Sequence, residues 1–443
     1  MKQSARQAAF EALMKVEESA AYSNLTLDHI LSHSSLPRRE KSFAARLFYG
    51  VLEKKLLLDY NIAVLSVHSP ERLEGSVRVI LRMGLYQLWM LSSVPASAAV
   101  NESVELCRAN GSPNACGLVN GLLRAASKQG EPKLPDKRKS KNKYLSVKYS
   151  CPEPIIRLWR QSYGDGNTVG QLEALDGRPP MCIRVNTLKT TAGELRESLE
   201  KEGLGAEYST LDENCLVLTD TGAVEELTQF SQGLFHVQDI ASQLCCRILD
   251  PRQGQTLLDV CSAPGGKSFT CAQLMKNKGR IVSCDLYSSR LQLVKAGAER
   301  LSVDIIDTVE GDASVLDPGV LADRVLCDVP CSGLGILRRK PELRYKKYLG
   351  LEELPEIQYR ILCNASGCLK SGGLLVYSTC TLDPAENNEV IRRFLSEHDD
   401  FNAEPIALPA GIKRGFDERE NELTLFSHLN GTDGFFISLV RRK

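Results

Sequence analysis

The chain is 443 residues long, 43% hydrophobic and 25% charged, with 55 Lys and Arg balanced by 55 Asp and Glu. Its length predicts two or three domains, its composition is that of a soluble globular protein, and no apolar run is long enough to span a membrane. The 15 cysteines contain no C-x-x-C pair and the histidines (His29, His33, His68, His236, His398 and His428) are scattered, so neither a metal site nor a disulfide scaffold is expected.

The balanced charge conceals an asymmetry. Residues 1–150 carry 22 basic and 13 acidic residues, a net +9, and the remainder carries −9. A basic N-terminal third points either to a polyanionic partner such as a nucleic acid or to a solvated charged face. Met1 to Ser19 mixes charges with apolar residues at helical spacing and lacks the apolar core of a signal peptide. A reducing, cytoplasmic setting is expected, with most cysteines acting as small buried hydrophobes.

Residues 1–130 read as a helical bundle. Ala9, Leu13 and Val16 share one face of a first helix; Phe43, Leu47, Val51 and Leu58 follow at helical spacing, then Val77, Ile80, Leu81, Leu85 and Leu88, and a last helix runs through 117–124. Residues 131–144 hold two prolines and a dense basic run, which predicts an exposed linker compatible with a phosphate-contacting arm. Residues 145–235 predict a small α+β module: strands at 181–186 and 215–218, and a helix over 191–202 capped by Thr190 or Thr191.

From 236 to 443, strand patterns (256–261, 280–285, 307–310, 324–328 and 374–378) alternate with helical ones such as 267–275 and 288–300. That alternation predicts a doubly wound, mostly parallel sheet, with a late strand at 434–440 pairing antiparallel at one side. The first strand runs into Cys261-Ser262-Ala263-Pro264-Gly265-Gly266-Lys267. Glycines let the backbone approach a ligand, but neither the dinucleotide nor the triphosphate spacing is present, which leaves a nucleoside ligand without a phosphate chain. Asp285 ends the second strand, where a carboxylate accepts from a ribose diol, and Asp312 follows the third, placed for an adenine amino group. S-adenosylmethionine carries a ribose, an adenine and a cationic sulfonium and fits this pattern; Arg290 and Asp328 complete the expected cofactor set. Asp259 is expected to support the glycine turn as an N–H acceptor, and Lys267 to reach either the ligand or the turn's own carbonyls.

Two cysteines each end an apolar run in a polar turn: Cys331 in 325–333 and Cys380 in 374–380. Thiols at the C-terminal ends of parallel strands point to covalent catalysis, and the residues alone do not say which attacks.

Asp328-Val329-Pro330-Cys331-Ser332-Gly333, Ser378-Thr379-Cys380 and Ser262-Ala263-Pro264-Gly265-Gly266-Lys267 resemble the signature of RNA cytosine-C5 methyltransferases. Arg82-Met83-Gly84-Leu85-Tyr86-Gln87-Leu88 and Asn120-Gly121-Leu122-Leu123-Arg124 resemble the NusB-like RNA-binding fold. The combination resembles the bacterial RsmB (Sun/Fmu) type of 16S ribosomal RNA methyltransferase over essentially the whole chain. Val329 and Ser262 stand where Ala is usual in that family, and Thr381 where Ser is common, without removing a functional group.

The resemblance implies an α/β Rossmann-like S-adenosylmethionine-dependent catalytic domain with a mostly parallel twisted sheet (236–443). Before it come a small α+β RNA-contacting module (145–235), the basic linker (131–144) and an all-α NusB-like RNA-binding bundle (1–130). It implies that Cys380 adds to C6 of a cytosine, that Cys331 assists release and that Asp328 activates the base. It also implies that Arg184 and Asn186 lie near the RNA and that Gln238 and Asp239 pack against the cofactor region. Arg338, Arg339, Lys340 and Arg344 follow the Pro-Cys loop as candidate phosphate contacts or as an ordinary charged loop. Competing readings are a transfer-RNA substrate, a non-catalytic RNA-binding assembly factor, and a redox role for the two cysteines.

Overall fold

Stripes of apolar residues at three- and four-residue spacing account for the first of two units in the computed structural model, which describes residues 4–19, 23–66, 69–177, 179–219, 221–346 and 352–443; His68 lies outside them. One unit comprises Met1–Gln161 and Leu337–Lys347, the other Ser162–Ile336 and Tyr348–Lys443.

The first unit is helical: Ala5–Ser19, Ser23–Ser32, Arg38–Glu53, Lys55–Leu65, Gly75–Met90, Ala96–Ala109, Cys116–Gln129 and Lys141–Tyr149. Ala9, Leu13, Leu47, Val51, Leu58, Val77, Ile80, Leu81 and Leu85 are buried in one core, as their spacing predicts. The stripe from Phe43 to Leu58 is not one helix; it breaks at Lys54, whose backbone leaves the helical region. A polar cluster around the buried Arg82 interrupts the apolar packing. Arg82 donates to both carboxylate oxygens of Asp59 at 2.6 and 2.8 Å and to Glu17 at 2.7 Å, and Glu17 also accepts from Arg78.

The basic linker is shorter than its composition suggests. Ser140 accepts from the Lys143 amide and caps the helix Lys141–Tyr149, so 141–144 are helical. Upstream, the Asn61 side chain bonds both the N–H and the C=O of Lys133. Residues 337–347 also belong to this unit. Arg344 is buried there, donating to the carbonyls of Glu53 and Tyr149 at 3.0 and 3.2 Å. It is therefore a structural arginine, neither the candidate phosphate contact nor the ordinary charged-loop residue, because its guanidinium faces backbone carbonyls.

In the second unit, β1 (Met181–Val185), β2 (Gly205–Tyr208), β3 (Cys215–Thr219) and β4 (Phe235–Val237) form an antiparallel sheet in the order β2-β3-β1-β4. The helix Ala192–Lys201 covers it, started by a Thr191–Glu194 capping box, and Leu195 and Leu199 pack with Ile183, Val185 and Leu216.

The larger sheet contains β5 (Thr256–Asp259), β6 (Arg280–Asp285), β7 (Ile306–Glu310), β8 (Ala322–Asp328), β9 (Leu369–Thr379), β10 (Phe401–Ala403), β11 (Glu422–Leu425) and β12 (Phe435–Arg442). Its order is β10-β12-β9-β8-β5-β6-β7, with β11 also on β12. Strands β5 to β9 are mutually parallel. β12 runs antiparallel to β9, as expected, but it is not the edge, because β10 pairs beyond it. Alternate residues feed two cores: Leu257, Ile281 and Leu326 face the helices Ile240–Leu249, Gly266–Leu274 and Ser288–Leu301, while Leu258, Val282 and Val325 face Leu354–Gly367 and Asn388–Glu397. Helices on both faces of a mainly parallel sheet make this a Rossmann-like, doubly wound fold.

Candidate active site

β5 has β6 on one side and β8 on the other, so the strand order reverses there, and such a reversal opens a crevice at the strands' carboxyl ends. Asp259 ends β5, Asp328 ends β8, and a cleft of about 210 Å³ lies between them, lined also by Gln238, Asp239 and residues of the 261–267 turn.

The turn is built to present backbone. The amide of Ser262 donates to the Cys284 carbonyl at 2.8 Å, and that of Ala263 to Asp285 Oδ2 at 3.3 Å. Gly265 has φ +106°, and a Cβ there would sit 2.4 Å from the Phe269 ring, so only glycine allows the turn to enter the helix that follows. Asp259 accepts from Ser268 Oγ at 2.6 Å; burial pushes its carboxyl up to about 7, against the pull of that hydrogen bond. Three buried polar atoms on the cleft wall have no hydrogen-bond partner among the described residues: Asp259 Oδ1, Ser262 Oγ and Gln238 Nε2. Unpaired acceptors and a donor around a glycine turn, in an acidic setting, fit a polar cationic nucleoside.

Asp285 is buried behind this turn and pairs with Arg290 at 3.1 Å, while Arg290 also donates to the Ala263 carbonyl at 2.7 Å. The two residues brace the turn from below. Asp312 is exposed and off the cleft wall; its carboxylate closes a turn onto the Ser314 amide and hydroxyl, which hold it below the usual carboxylate range. Gln238 accepts from Thr270, and Asp239 caps the helix Ile240–Leu249.

Lys267 does not anchor the turn's carbonyls. Its ammonium lies 2.6 Å from Asp328 Oδ2 and 5.3 Å from the centre of the Phe435 ring. Burial alone would lower this lysine; the Asp328 carboxylate outweighs it and holds the ammonium above its ordinary value. The other oxygen of Asp328 accepts from Ser378 Oγ at 2.8 Å.

β8 and β9 run parallel with Asp328 opposite Ser378, so their two turns emerge side by side. The register brings Cys331 Sγ within 3.1 Å of Cys380 Sγ, and both are free thiols. The Cys331 thiol is pushed well above its ordinary value, by its hydrogen bond to Cys380 first and by burial second. Close backbone approach locks the turns. Gly335 donates to the Cys380 carbonyl and accepts from the Gly434 amide, both at 2.9 Å, and a Cβ on Gly335 would fall 1.9 Å from the Gly434 oxygen.

Sequence reasoning missed the residues that hold these turns. Glu386 Oε2 accepts from the Ser332 amide at 2.9 Å and from Gln358 at 2.8 Å, and Asn387 bonds Thr379 and the Thr381 carbonyl. Their polar character after a strand was visible, but nothing in spacing links Gln358 to Pro330.

Two RNA candidates need correcting. Arg184 is 2% exposed, ion-paired with Asp212 at 3.1 Å and bonded to Gln273. Asn186 is fully buried, donating to the carbonyls of Gly233 and Leu301. Both pack the interior of this unit because their polar ends are consumed by protein groups. Arg338, Arg339 and Lys340 are half-buried residues of the helical unit's 337–347 segment.

Among the described residues no cluster of metal-ligating side chains occurs, and no helix is long and apolar enough to cross a membrane.

Residues 246–441 match the family described as 16S rRNA methyltransferase RsmB/F, residues 3–128 match the NusB family, and 151–225 match the ferredoxin-like domain of RsmF/B-type methyltransferases. The chain is 36% identical to the probable ribosomal RNA small subunit methyltransferase B of Bacillus subtilis (strain 168), covering 100% of this chain and 99% of that protein. The corresponding protein of Synechocystis sp. is also 36% identical, with 99% of each covered. The crystal structure of PH0851 superposes with a TM-score of 0.83 at 27% identity, covering 99% of this chain and 98% of that one.

Proposed function

The chain belongs to the RsmB/F family of 16S ribosomal RNA methyltransferases, and on that premise we propose that it methylates C5 of a cytosine in 16S rRNA through a covalent Cys380 adduct. The observation that carries this reading is the 3.1 Å separation of Cys331 and Cys380 beside the Lys267–Asp328 ion pair. One thiol suffices to attack a base, and a second within hydrogen-bond distance is placed to assist when that bond is broken.

C5 of cytosine is a poor nucleophile. Addition of the Cys380 sulfur to C6 makes the ring an enamine with carbanion character at C5. Asp328 is ion-paired, so its role is to accept a hydrogen bond from the ring's amino group, and the Lys267 ammonium beside it is the donor that offsets charge developing at N3. The 261–267 turn and the orphaned polar atoms of the cleft would hold S-adenosylmethionine, which would supply the methyl group. Loss of the C5 proton then restores the C5–C6 double bond and returns the C6–S electron pair to Cys380, with Cys331 assisting. A cytosine in folded RNA must leave its stack to reach a thiol between two turns, which favours single-stranded or flipped bases. The basic N-terminal unit supplies charge for RNA in a cytoplasmic reaction.

The test is incubation with methyl-labelled S-adenosylmethionine and, separately, unmodified 16S rRNA, 23S rRNA and transfer RNA. Label at C5 of a 16S cytosine is expected; label confined to transfer RNA overturns the ribosomal substrate. Cys380→Ala is expected to form no adduct and Cys331→Ala to accumulate one, and the reverse pattern exchanges their roles.

A further inference from the structure

The two cysteine turns are held by consecutive residues. Glu386 reaches the Cys331 turn: its Oε2 accepts from the Ser332 amide at 2.9 Å and from Gln358 Nε2 at 2.8 Å, and Gln358 donates as well to the Pro330 carbonyl at 2.9 Å. Asn387 reaches the Cys380 turn: it accepts from Thr379 Oγ1 at 2.5 Å and donates to the Thr381 carbonyl at 3.0 Å. The Tyr377 hydroxyl donates to the Glu386 carbonyl, fixing the pair to β9, and Ser332 and Thr381 hydroxyls meet at 2.7 Å between the turns. Glu386 and Asn387 are both buried. A carboxylate sunk into a protein interior is costly, and here its partners are the backbone that carries a reactive cysteine.

We propose that Glu386 is a positioning residue for product release: through the Ser332 amide it sets the Cys331 thiol against the Cys380 sulfur. The inference rests on the reading of Cys380 as nucleophile. In release, the C5 proton passes to water, the C5–H electron pair forms the C5–C6 double bond, and the C6–S pair departs with Cys380 as a thiolate. A thiol donor at 3.1 Å stabilises that thiolate as it forms, provided it is held in place and remains protonated. Both conditions are met at Cys331, whose thiol is raised by its neighbour, by burial and, in lesser part, by the Glu386 carboxylate. The arrangement separates two tasks: the attacking sulfur is fixed by Asn387, the releasing one by Glu386.

The experiment compares Glu386→Ala, Glu386→Gln and Glu386→Asp in the full chain on 16S rRNA. Single-turnover adduct formation, adduct decay and S-adenosylmethionine affinity are followed. Glu386→Ala is expected to slow adduct decay by about 10- to 100-fold, the loss of one or two buried hydrogen bonds, with cofactor affinity within about twofold. Glu386→Gln keeps an acceptor oxygen for Ser332 and is expected to restore decay to within about threefold of the parent. Should the alanine variant fail to fold, Glu386→Asp keeps the charge but not the reach, and it too must accumulate adduct. Decay at the parental rate in Glu386→Ala, or in Glu386→Asp where the alanine variant is unfolded, overturns the proposal. An active Cys380→Ala enzyme, or no adduct in any variant, instead overturns the covalent reading beneath it.

Discussion

Lys267 Nζ and Asp328 Oδ2 lie 2.6 Å apart, joining the helix after the glycine turn to the strand before the Pro-Cys loop. Each is the other's charge partner at the floor of the cleft, so they form one functional unit. Lys267→Met and Asp328→Asn are each expected to lower kcat/KM for 16S rRNA by about 10²- to 10⁴-fold, and the double variant to be less than about tenfold worse than either. Initial rates at varied RNA concentration measure this; multiplicative losses in the double variant would separate the two roles.

That relationship also marks how far the sequence could be read. β5, β6, β8 and β9 were legible because their apolar runs are buried on both faces, and the turns holding Asp259, Lys267, Asp328, Cys331 and Cys380 stood at strand ends. β2, β4, β10 and β11 were not legible, since strands of three or four residues without the continuous apolar run of β5 carry too little pattern and depend on a neighbour for pairing. The Lys267–Asp328 pair and the Glu386–Ser332 bond join residues 61 and 54 positions apart and leave no local pattern. The family resemblance put Arg184 near the RNA, and nothing local to its strand argues otherwise; only the tertiary fold brings Asp212 and Gln273 to it.

This correction separates two classes of arginine. Arg184→Met is expected to leave the salt dependence of RNA binding unchanged and to destabilise the fold by about 3–5 kcal/mol, because it leaves the buried Asp212 with the half-exposed Arg247 as its cationic partner. Joint alanine replacement of Arg338, Arg339 and Lys340 is expected to act the other way, weakening RNA binding and reducing its log–log salt slope by about one for each phosphate no longer neutralised. Filter binding across a salt series, with urea melts, distinguishes the two.

The cluster of Glu17, Arg82 and Asp59 gives the helical unit an acid sensitivity. Burial acts to raise the Glu17 carboxyl, but Arg82, Lys55 and Arg78 overcome it and hold it at about 2. A carboxyl depressed in the folded state contributes stability above its unfolded value near ~4.3 and loses it as pH falls through about 2. Glu17→Gln is therefore expected to cost about 1–2 kcal/mol at pH 7, because solvent reaches part of the carboxylate and screens its ion pairs, the cost shrinking steadily below about pH 4.5. Arg82→Met leaves two carboxylates without their shared guanidinium and is expected to be at least as damaging, by about 3–5 kcal/mol. Urea unfolding of each variant against pH measures both; a pH-independent penalty would place the contribution of Glu17 in packing.

Asp259 has the opposite sign. Burial raises its carboxyl to about 7, although Ser268 donates to it and Lys267 lies near, so the folded protein binds a proton there more tightly than the unfolded chain does. The stability that this proton confers is complete below the unfolded value near ~3.9 and is lost as pH rises through about 7. Asparagine retains an oxygen for the Ser268 hydroxyl and cannot ionise. Asp259→Asn is accordingly expected to match the parent in stability at about pH 4 and to exceed it by roughly 2–4 kcal/mol at pH 8, with the gap opening between those values. Melting temperatures of parent and variant across that range carry the test. Parallel curves would mean that Asp259 ionises in the folded protein as readily as in the unfolded one, and that the cleft beneath the glycine turn is wetter than its buried walls imply.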